Sequence, residues 1–264
     1  MSGRLVQLSD VHFGRENTAA AEAALGLTHA LKPDLTLITG DVTQSGRTTE
    51  FEAAAGWISA LPDPTFVVVG NHDVPYWNIW SRVTSPWRAF ERLIGHPAHD
   101  HQFVGQAVMV RGVTTARGWQ ARANWSKGVI DLDQTRRAAE ALRAAPPGVL
   151  RVLACHHPLV EMIGTPVSGD VKRGEAAALI FAEAGVDLIL TGHVHVPFAV
   201  AIPLSDQRSY AVGCGTLSER ERGAAASFNR IDWDETQIVV TVMTWTGAAF
   251  VEGQVWRLPR RAPG

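Results

Sequence analysis

Five short stretches carry side chains of the kinds that hold cations, and their spacing repeats. They are Asp10-Val11-His12, Gly40-Asp41, Gly70-Asn71-His72-Asp73, Cys155-His156-His157 and Gly192-His193-Val194-His195. Carboxylate and amide oxygens suit hard cations, whereas imidazole suits borderline ones and can also move a proton near neutral pH. The set therefore fits metal-assisted chemistry on an oxygen-rich substrate. Taken singly each stretch has an ordinary reading. An Asp-x-His pair is common by chance, and Asp after Gly or Asn after Gly is a usual turn former. Alternate histidines after a strand-ending Gly are harder to explain by packing. The force lies in their joint occurrence, which supplies the carboxylates of Asp10 and Asp41, the amide of Asn71 and several imidazoles, enough for two metal ions.

Each stretch follows an apolar run of strand length: residues 4–8, 35–39, 65–69, 150–155 and 187–190. Between the first three runs lie helical patterns. One covers 18–31 and is stopped by Lys32-Pro33; the other covers 48–61, with Thr48 or Thr49 as N-cap and Pro62-Asp63-Pro64 as its stop. Strands alternating with helices pair in parallel through right-handed crossovers, which collects their C-terminal ends on one rim where open α/β sheets bind ligands. The order then changes. Residues 75–95 place Trp77, Trp80, Trp87, Phe90, Leu93 and Ile94 at helical spacings, a helical insertion beside the site. It is read first as packing or a contact between subunits, which allows a homo-oligomer built through it, and second as an aromatic wall for a leaving group. His96, His99 and His101 are read as surface histidines. Residues 103–110 are expected as one antiparallel strand, 112–125 as loop, 133–144 and 172–184 as helices. Strands follow at 198–202, 209–212, 228–231, 237–245 and 254–258, with a frayed tail from 260. Two mixed sheets packed face to face with helices outside both accommodate this order, in a single domain.

The chain has 264 residues and a formal net charge of −2, with a pI near 6.5, so no global field attracts nucleic acid or an anionic membrane. Two cysteines cannot build a disulfide framework, and the amino terminus runs straight into a strand. The apolar runs are of strand length, which argues against a membrane span. A cytoplasmic location is expected.

The pattern D-x-H, G-D, G-N-H-[D/E], H and G-H-x-H resembles that of the calcineurin-like metallophosphoesterase family, over about residues 5–195. The resemblance implies an α/β four-layer α-β-β-α sandwich with a dinuclear centre. One metal would be held by Asp10, His12, Asp41 and His195, the other by Asp41, Asn71, His156 and His193, with His157 packed behind. Asp41 would bridge. The mixture of imidazole and carboxylate without thiolate favours two divalent or mixed-valence transition ions, Mn, Fe or Zn; Cys155 is read as a buried strand residue. Two cations ~3.5–4 Å apart clamp a phosphate and make hydroxide available near pH 7 for in-line attack on phosphorus. His72 is the implied proton donor to the leaving group and Asn71 also a phosphate contact. The Gly40-Asp41-Val42-Thr43-Gln44-Ser45-Gly46 stretch departs from the protein phosphatase pattern G-D-x-x-D-R-G, and His72 stands where lipid A precursor pyrophosphatases carry Arg. The expected activity is a phosphodiesterase acting on small diesters of cyclic nucleotide or glycerophosphodiester type. A phosphomonoesterase or nuclease of the same family, or a metal-binding scaffold for a protein partner, is the alternative. No duplex-binding tract is visible. Arg15, Arg47 and Arg117 are read as solvated rather than as phosphate contacts, and the loop 164–170 as shaping substrate choice.

Overall fold

The computed structural model describes residues 1–121, 124–160, 171–203 and 206–261. The first sheet holds β1 (Gly3–Leu8), β2 (Leu35–Ile38) and β3 (Thr65–Val67) in parallel, joined through α1 (Thr18–Leu31) and α2 (Thr48–Ser59). The second holds β4 (Gln102–Val104), β5 (Val108–Gly112), β6 (Leu150–Ala154), β7 (Leu188–Thr191), β8 (Phe198–Ala201) and β9 (Tyr210–Gly213), with α5 (Leu132–Arg143) and α6 (Gly174–Glu183) as its crossovers. The chain then returns to the first sheet. β10 (Ser227–Trp233) pairs antiparallel with β1, and β11 (Gln237–Trp245) and β12 (Phe250–Pro259) extend that edge. Both sheets are therefore mixed.

The period-two alternation of each strand decides which core it feeds. Leu5, Leu37, Phe66, Ile231 and Val240 of the first sheet meet Val110, Val152, Leu190 and Val212 of the second in one shared core. Their sequence neighbours face outward. Val6, Leu8, Ile38 and Val67 pack under α1 and α2 against Ala21, Ala24, Phe51 and Ala54; Leu153 and Ile189 pack under α5 and α6 against Leu142 and Phe181. Three cores between four layers give the expected α-β-β-α sandwich. A buried polar ladder crosses it: Asn229 Nδ2 donates to Gln7 Oε1 at 3.0 Å, and Gln7 Nε2 donates to Thr191 O at 3.0 Å. Among the described residues no helix is long and apolar enough to cross a membrane.

Several local expectations are corrected. The single strand over 103–110 is a hairpin, because the chain turns at Gly105, whose N–H donates to Val108 O at 2.9 Å. The N-cap of α2 is Arg47, not Thr48 or Thr49; the Glu50 carboxylate accepts from the N–H groups of Ser45 and Arg47 and so ties off this end. His101 is not a surface histidine. It stacks on Phe66 with centroids 3.9 Å apart, and burial together with nearby His96 pushes it down to about 4. The end of the chain is anchored as far as Arg261, since Arg260 donates to Asp234 O at 2.7 Å and Arg261 pairs with Asp206 at 2.7 Å; the rest of the expected tail, from 262, lies outside the described residues.

The insertion divides into two short helices, α3 (Ile79–Thr84) and α4 (Arg88–Ile94). α4 packs inward through Phe90 and Ile94, with Trp87 and Leu93 against the same core. α3 does the opposite: Trp77 before it is 71% exposed and Trp80 within it 79%.

Gly26 in α1 and Gly56 in α2 face open space, with no heavy atom beyond their chain neighbours and the adjoining helix backbone within 4 Å of where a Cβ would stand. Glycine costs about 0.5–1 kcal/mol relative to alanine inside a helix. Gly26→Ala and Gly56→Ala should each raise the unfolding free energy by about that amount, measured by urea denaturation of the metal-free protein. A fall in the midpoint would contradict the packing described here.

Candidate metal centre

The five donor stretches lie at the C-terminal ends of β1, β2, β3, β6 and β7, where the rims of the two sheets meet. Backbone bonds lace them together: Asp10 N–H donates to Gly40 O at 3.0 Å, His12 N–H to Asp41 O at 3.0 Å, and Gly192 N–H to His156 O at 2.9 Å. Asp10, His12, Asp41, His193 and His195 all have left-handed backbones, with φ between 51° and 69°. Non-glycine residues in that region cost about 1–3 kcal/mol each and persist only where their surroundings over-determine them, characteristically at functional sites.

The side chains converge. Asp10 Oδ1 lies 3.0 Å from His195 Nε2 and 3.6 Å from His12 Nε2, and these two nitrogens are 3.4 Å apart. Asp41 Oδ2 lies 3.1 Å from His156 Nε2 and 3.9 Å from His12 Nε2. Asp41 thus stands between the two groups, as a bridge would. His193 sits against His156, with ring centroids 5.3 Å apart. All of these side chains, and that of Asn71, are buried.

Burial would push both carboxyls up, yet the neighbouring imidazoles outweigh it: His195 and His12 hold Asp10 well below the carboxylate range, and His156 and His72 do the same for Asp41. Burial pushes His12 down to about 4 and also lowers His193. Burial acts downward on His156 too, but ionised Asp41 overrides it and pushes it up to about 9. Two ionised carboxylates among crowded imidazoles in a dry pocket form a donor set suited to cations.

Second contacts aim the donors. His156 Nδ1 donates to Thr39 O at 2.8 Å and His195 Nδ1 to Arg220 O at 2.8 Å, which turns each Nε2 inward. Asp10 Oδ2 accepts from Ser9 Oγ at 2.5 Å and from His193 N–H at 3.0 Å. Asp41 Oδ1 accepts from His72 N–H at 2.8 Å. The buried Asp73 carboxylate pins the Gly70-Asn71-His72 turn by accepting from Gly70 N–H and from both the N–H and the hydroxyl of Thr43. Buried Asn71 Oδ1 makes no hydrogen bond, and buried His156 Nε2 has only the Asp41 carboxylate beside it. Such atoms are costly unless something else meets them, so the residues present fit a cation pair. His157 does not join: its Nδ1 accepts from the Thr115 hydroxyl at 2.8 Å and its Nε2 donates to Ser126 O at 2.8 Å. Cys155 is buried, with its thiol pushed up by burial.

A cleft of about 610 Å³ opens beside the donors, with Asn71 and His72 among its lining residues and Tyr76, Trp77, Ile79 and Trp125 as apolar ones. Arg82 holds it in shape, donating to Gly118 O at 2.8 Å and lying 5.1 Å over the Trp125 ring. The loop expected to shape substrate choice, 164–170, lies outside the described residues. Arg15 and Arg47 are exposed, as read. Two arginines passed over in sequence do reach the site: Arg220 Nη1 lies 3.1 Å from His72 Nε2, and Arg222 Nη1 donates to His193 O at 3.0 Å. Their stretch, Ser218-Glu219-Arg220-Glu221-Arg222, carries no signal beyond that of a solvated charge run.

A family model described as calcineurin-like phosphoesterase matches residues 3–197. A probable cyclic nucleotide phosphodiesterase from Synechococcus sp. is 26% identical over 219 residues, covering 75% of each chain. Among solved structures, the purple acid phosphatase PPD1 from yellow lupin (Lupinus luteus) seeds superposes with a TM-score of 0.69 at 11% identity, over 98% of this chain and 54% of the other. The GAP50 anchor of the Plasmodium inner membrane complex superposes with a TM-score of 0.64 at 12% identity, over 99% and 90%.

Proposed function

The chain belongs to the calcineurin-like phosphoesterase family and is a phosphoester hydrolase, and from that premise we propose that its reaction is the hydrolysis of small phosphodiesters of cyclic nucleotide or glycerophosphodiester type. Asp10, His12, Asp41 and His195 would hold one cation, and Asp41, Asn71, His156 and His193 a second. Mn, Fe or Zn suits the donors. Bound there, the pair would supply Lewis acidity toward the phosphate and make hydroxide available near neutral pH. The observation that carries the reading is the position of Asp41 between two histidine groups, with its second oxygen fixed by His72 N–H.

The chain's own groups do the rest. Asn71, buried at the mouth with a free carbonyl oxygen, fits both a cation and the substrate. The cleft past His72 supports a diester over a monoester, because its apolar and aromatic residues offer a surface to a second esterified group, and a monoester lacks one. The name of the Synechococcus relative points the same way. A scaffold role would not require a complete donor set.

Turnover of bis(p-nitrophenyl) phosphate against p-nitrophenyl phosphate by Mn-, Fe- and Zn-loaded protein tests the proposal. Diester preference of about tenfold or more in kcat/KM is expected, one decade being about 1.4 kcal/mol of differential transition-state binding. A clear monoester preference overturns the diesterase assignment. Inertness toward a diester panel that includes cyclic nucleotides and glycerophosphodiesters returns the scaffold.

A further inference from the structure

The ring nitrogen of His72 expected to protonate the leaving group is already occupied by a guanidinium. His72 Nδ1 lies 2.6 Å from Gln44 O, and a carbonyl oxygen only accepts, so Nδ1 carries the hydrogen. His72 Nε2 lies 3.1 Å from Arg220 Nη1, and a guanidinium only donates, so Nε2 offers its lone pair. The positive charge and the free N–H groups on this side of the site therefore belong to Arg220.

Arg220 is built into the centre. Its carbonyl accepts from His195 Nδ1 at 2.8 Å, and its N–H donates to Ser218 Oγ at 3.2 Å. Ser218 Oγ is 2.7 Å from Thr216 Oγ1, which donates to Asp10 O at 2.7 Å. The loop thus ties to a donor from each of two strand ends. Arg222 stands beside it on His193 O. Among the described residues neither guanidinium forms a salt bridge with a carboxylate; burial and Arg220 act to lower Arg222, while the more distant Asp10 and Asp41 act to raise it. Two adjacent guanidinium groups with no carboxylate in direct contact suit an anionic ligand. One His72 ring nitrogen lies within 4.8 Å of the ligand atoms of His12 and Asp41, so Arg220 is within reach of a phosphate held there. Arg220 and Arg222 lie beyond the family-matched residues 3–197.

We propose that Arg220 is a catalytic residue that donates hydrogen bonds to the leaving oxygen of the scissile phosphodiester, with His72 as the positioning residue that aims it. The proposal rests on the phosphodiesterase reading. As hydroxide forms the new bond to phosphorus, the old P–O bond breaks and its electron pair stays on the leaving oxygen. Arg220 stabilises that charge without giving up a proton, since guanidinium does not deprotonate in proteins, and a solvent water protonates the alkoxide.

The test compares wild type, Arg220→Lys and Arg220→Gln on methyl p-nitrophenyl phosphate and on methyl phenyl phosphate, whose leaving group is poorer. Arg220→Gln should lose about tenfold on the first and up to about 10³-fold on the second, the range seen when one donor to developing charge is removed. Arg220→Lys should fall between. Metal content should equal that of wild type, and inorganic phosphate should bind Arg220→Gln about tenfold more weakly by calorimetry, about 1.4 kcal/mol. Equal losses on the two esters, or unchanged phosphate affinity, overturn the proposal. If wild type cleaves neither ester the phosphodiesterase reading fails instead, and the phosphate affinities still decide whether Arg220 meets an anion.

Discussion

Asp41→Ala is expected to leave the protein folded, to remove both metal ions and to lower diester hydrolysis by about 10³-fold or more, equivalent to about 4 kcal/mol of barrier. Asp41 faces both histidine groups, 3.1 Å from His156 and 3.9 Å from His12. In the proposed two-cation centre its loss would remove a donor from each cation and a full negative charge from a dry pocket where charge is expensive to replace. Asp41→Asn separates charge from shape. The amide oxygen can still accept from His72 N–H, so the turn at Asn71 keeps its anchor while the bridging anion is gone. We expect metal content by elemental analysis to fall in both variants and circular dichroism to be unchanged in Asp41→Asn. Two equivalents of metal retained by Asp41→Ala would sink the bridging assignment.

The parts of the fold and the site that were legible in sequence share one property: they are local. An apolar run followed by a polar donor is visible in a window of about ten residues, and five such windows marked Asp10, His12, Asp41, Asn71, His156, His193 and His195 at strand ends. Parallel β-α order then predicted that these ends share a rim. What stayed hidden depends on non-local placement. β10 returns to pair with β1 across more than two hundred residues, and local periodicity carries no mark of that partner. The same return delivers Arg220 and Arg222, whose stretch looks like any solvated charge run until β9 and β10 hold it against His195 and His193. His101 was misread for a related reason: a histidine in a Pro-broken loop gives no hint that Phe66, on a strand thirty-five residues earlier, will stack on it. Arg47 as N-cap shows a third limit, since the Glu50 carboxylate reaching back to the N–H groups of Ser45 and Arg47, and not a hydroxyl at the cap, closes this end of α2.

Gly192→Ala should damage the centre nearly as much as loss of a donor, although it deletes no ligand. A Cβ at Gly192 would collide with Ser9 Oγ and Asp10 Oδ2. These are the two atoms of a short hydrogen bond, and Asp10 Oδ2 also accepts from His193 N–H. Neither can step aside cheaply: Asp10 is buried with both oxygens engaged, and Gly192 N–H is itself tied to His156 O. Either Asp10 turns away from His195, or the segment carrying His193 and His195 moves outward. Both routes would disturb the proposed donors of each cation. Outer-shell disruption of this kind typically costs 10–100-fold in metal affinity, so we expect binding weaker by up to about 100-fold in competition with a chelating dye, and a matching loss of turnover at limiting metal. Gly26→Ala is the control, because the same added methyl there meets nothing and should leave metal affinity unchanged. Wild-type affinity in Gly192→Ala would mean that the rim tolerates displacement, and that close backbone approach between β1 and β7 is not what sets the geometry of the centre.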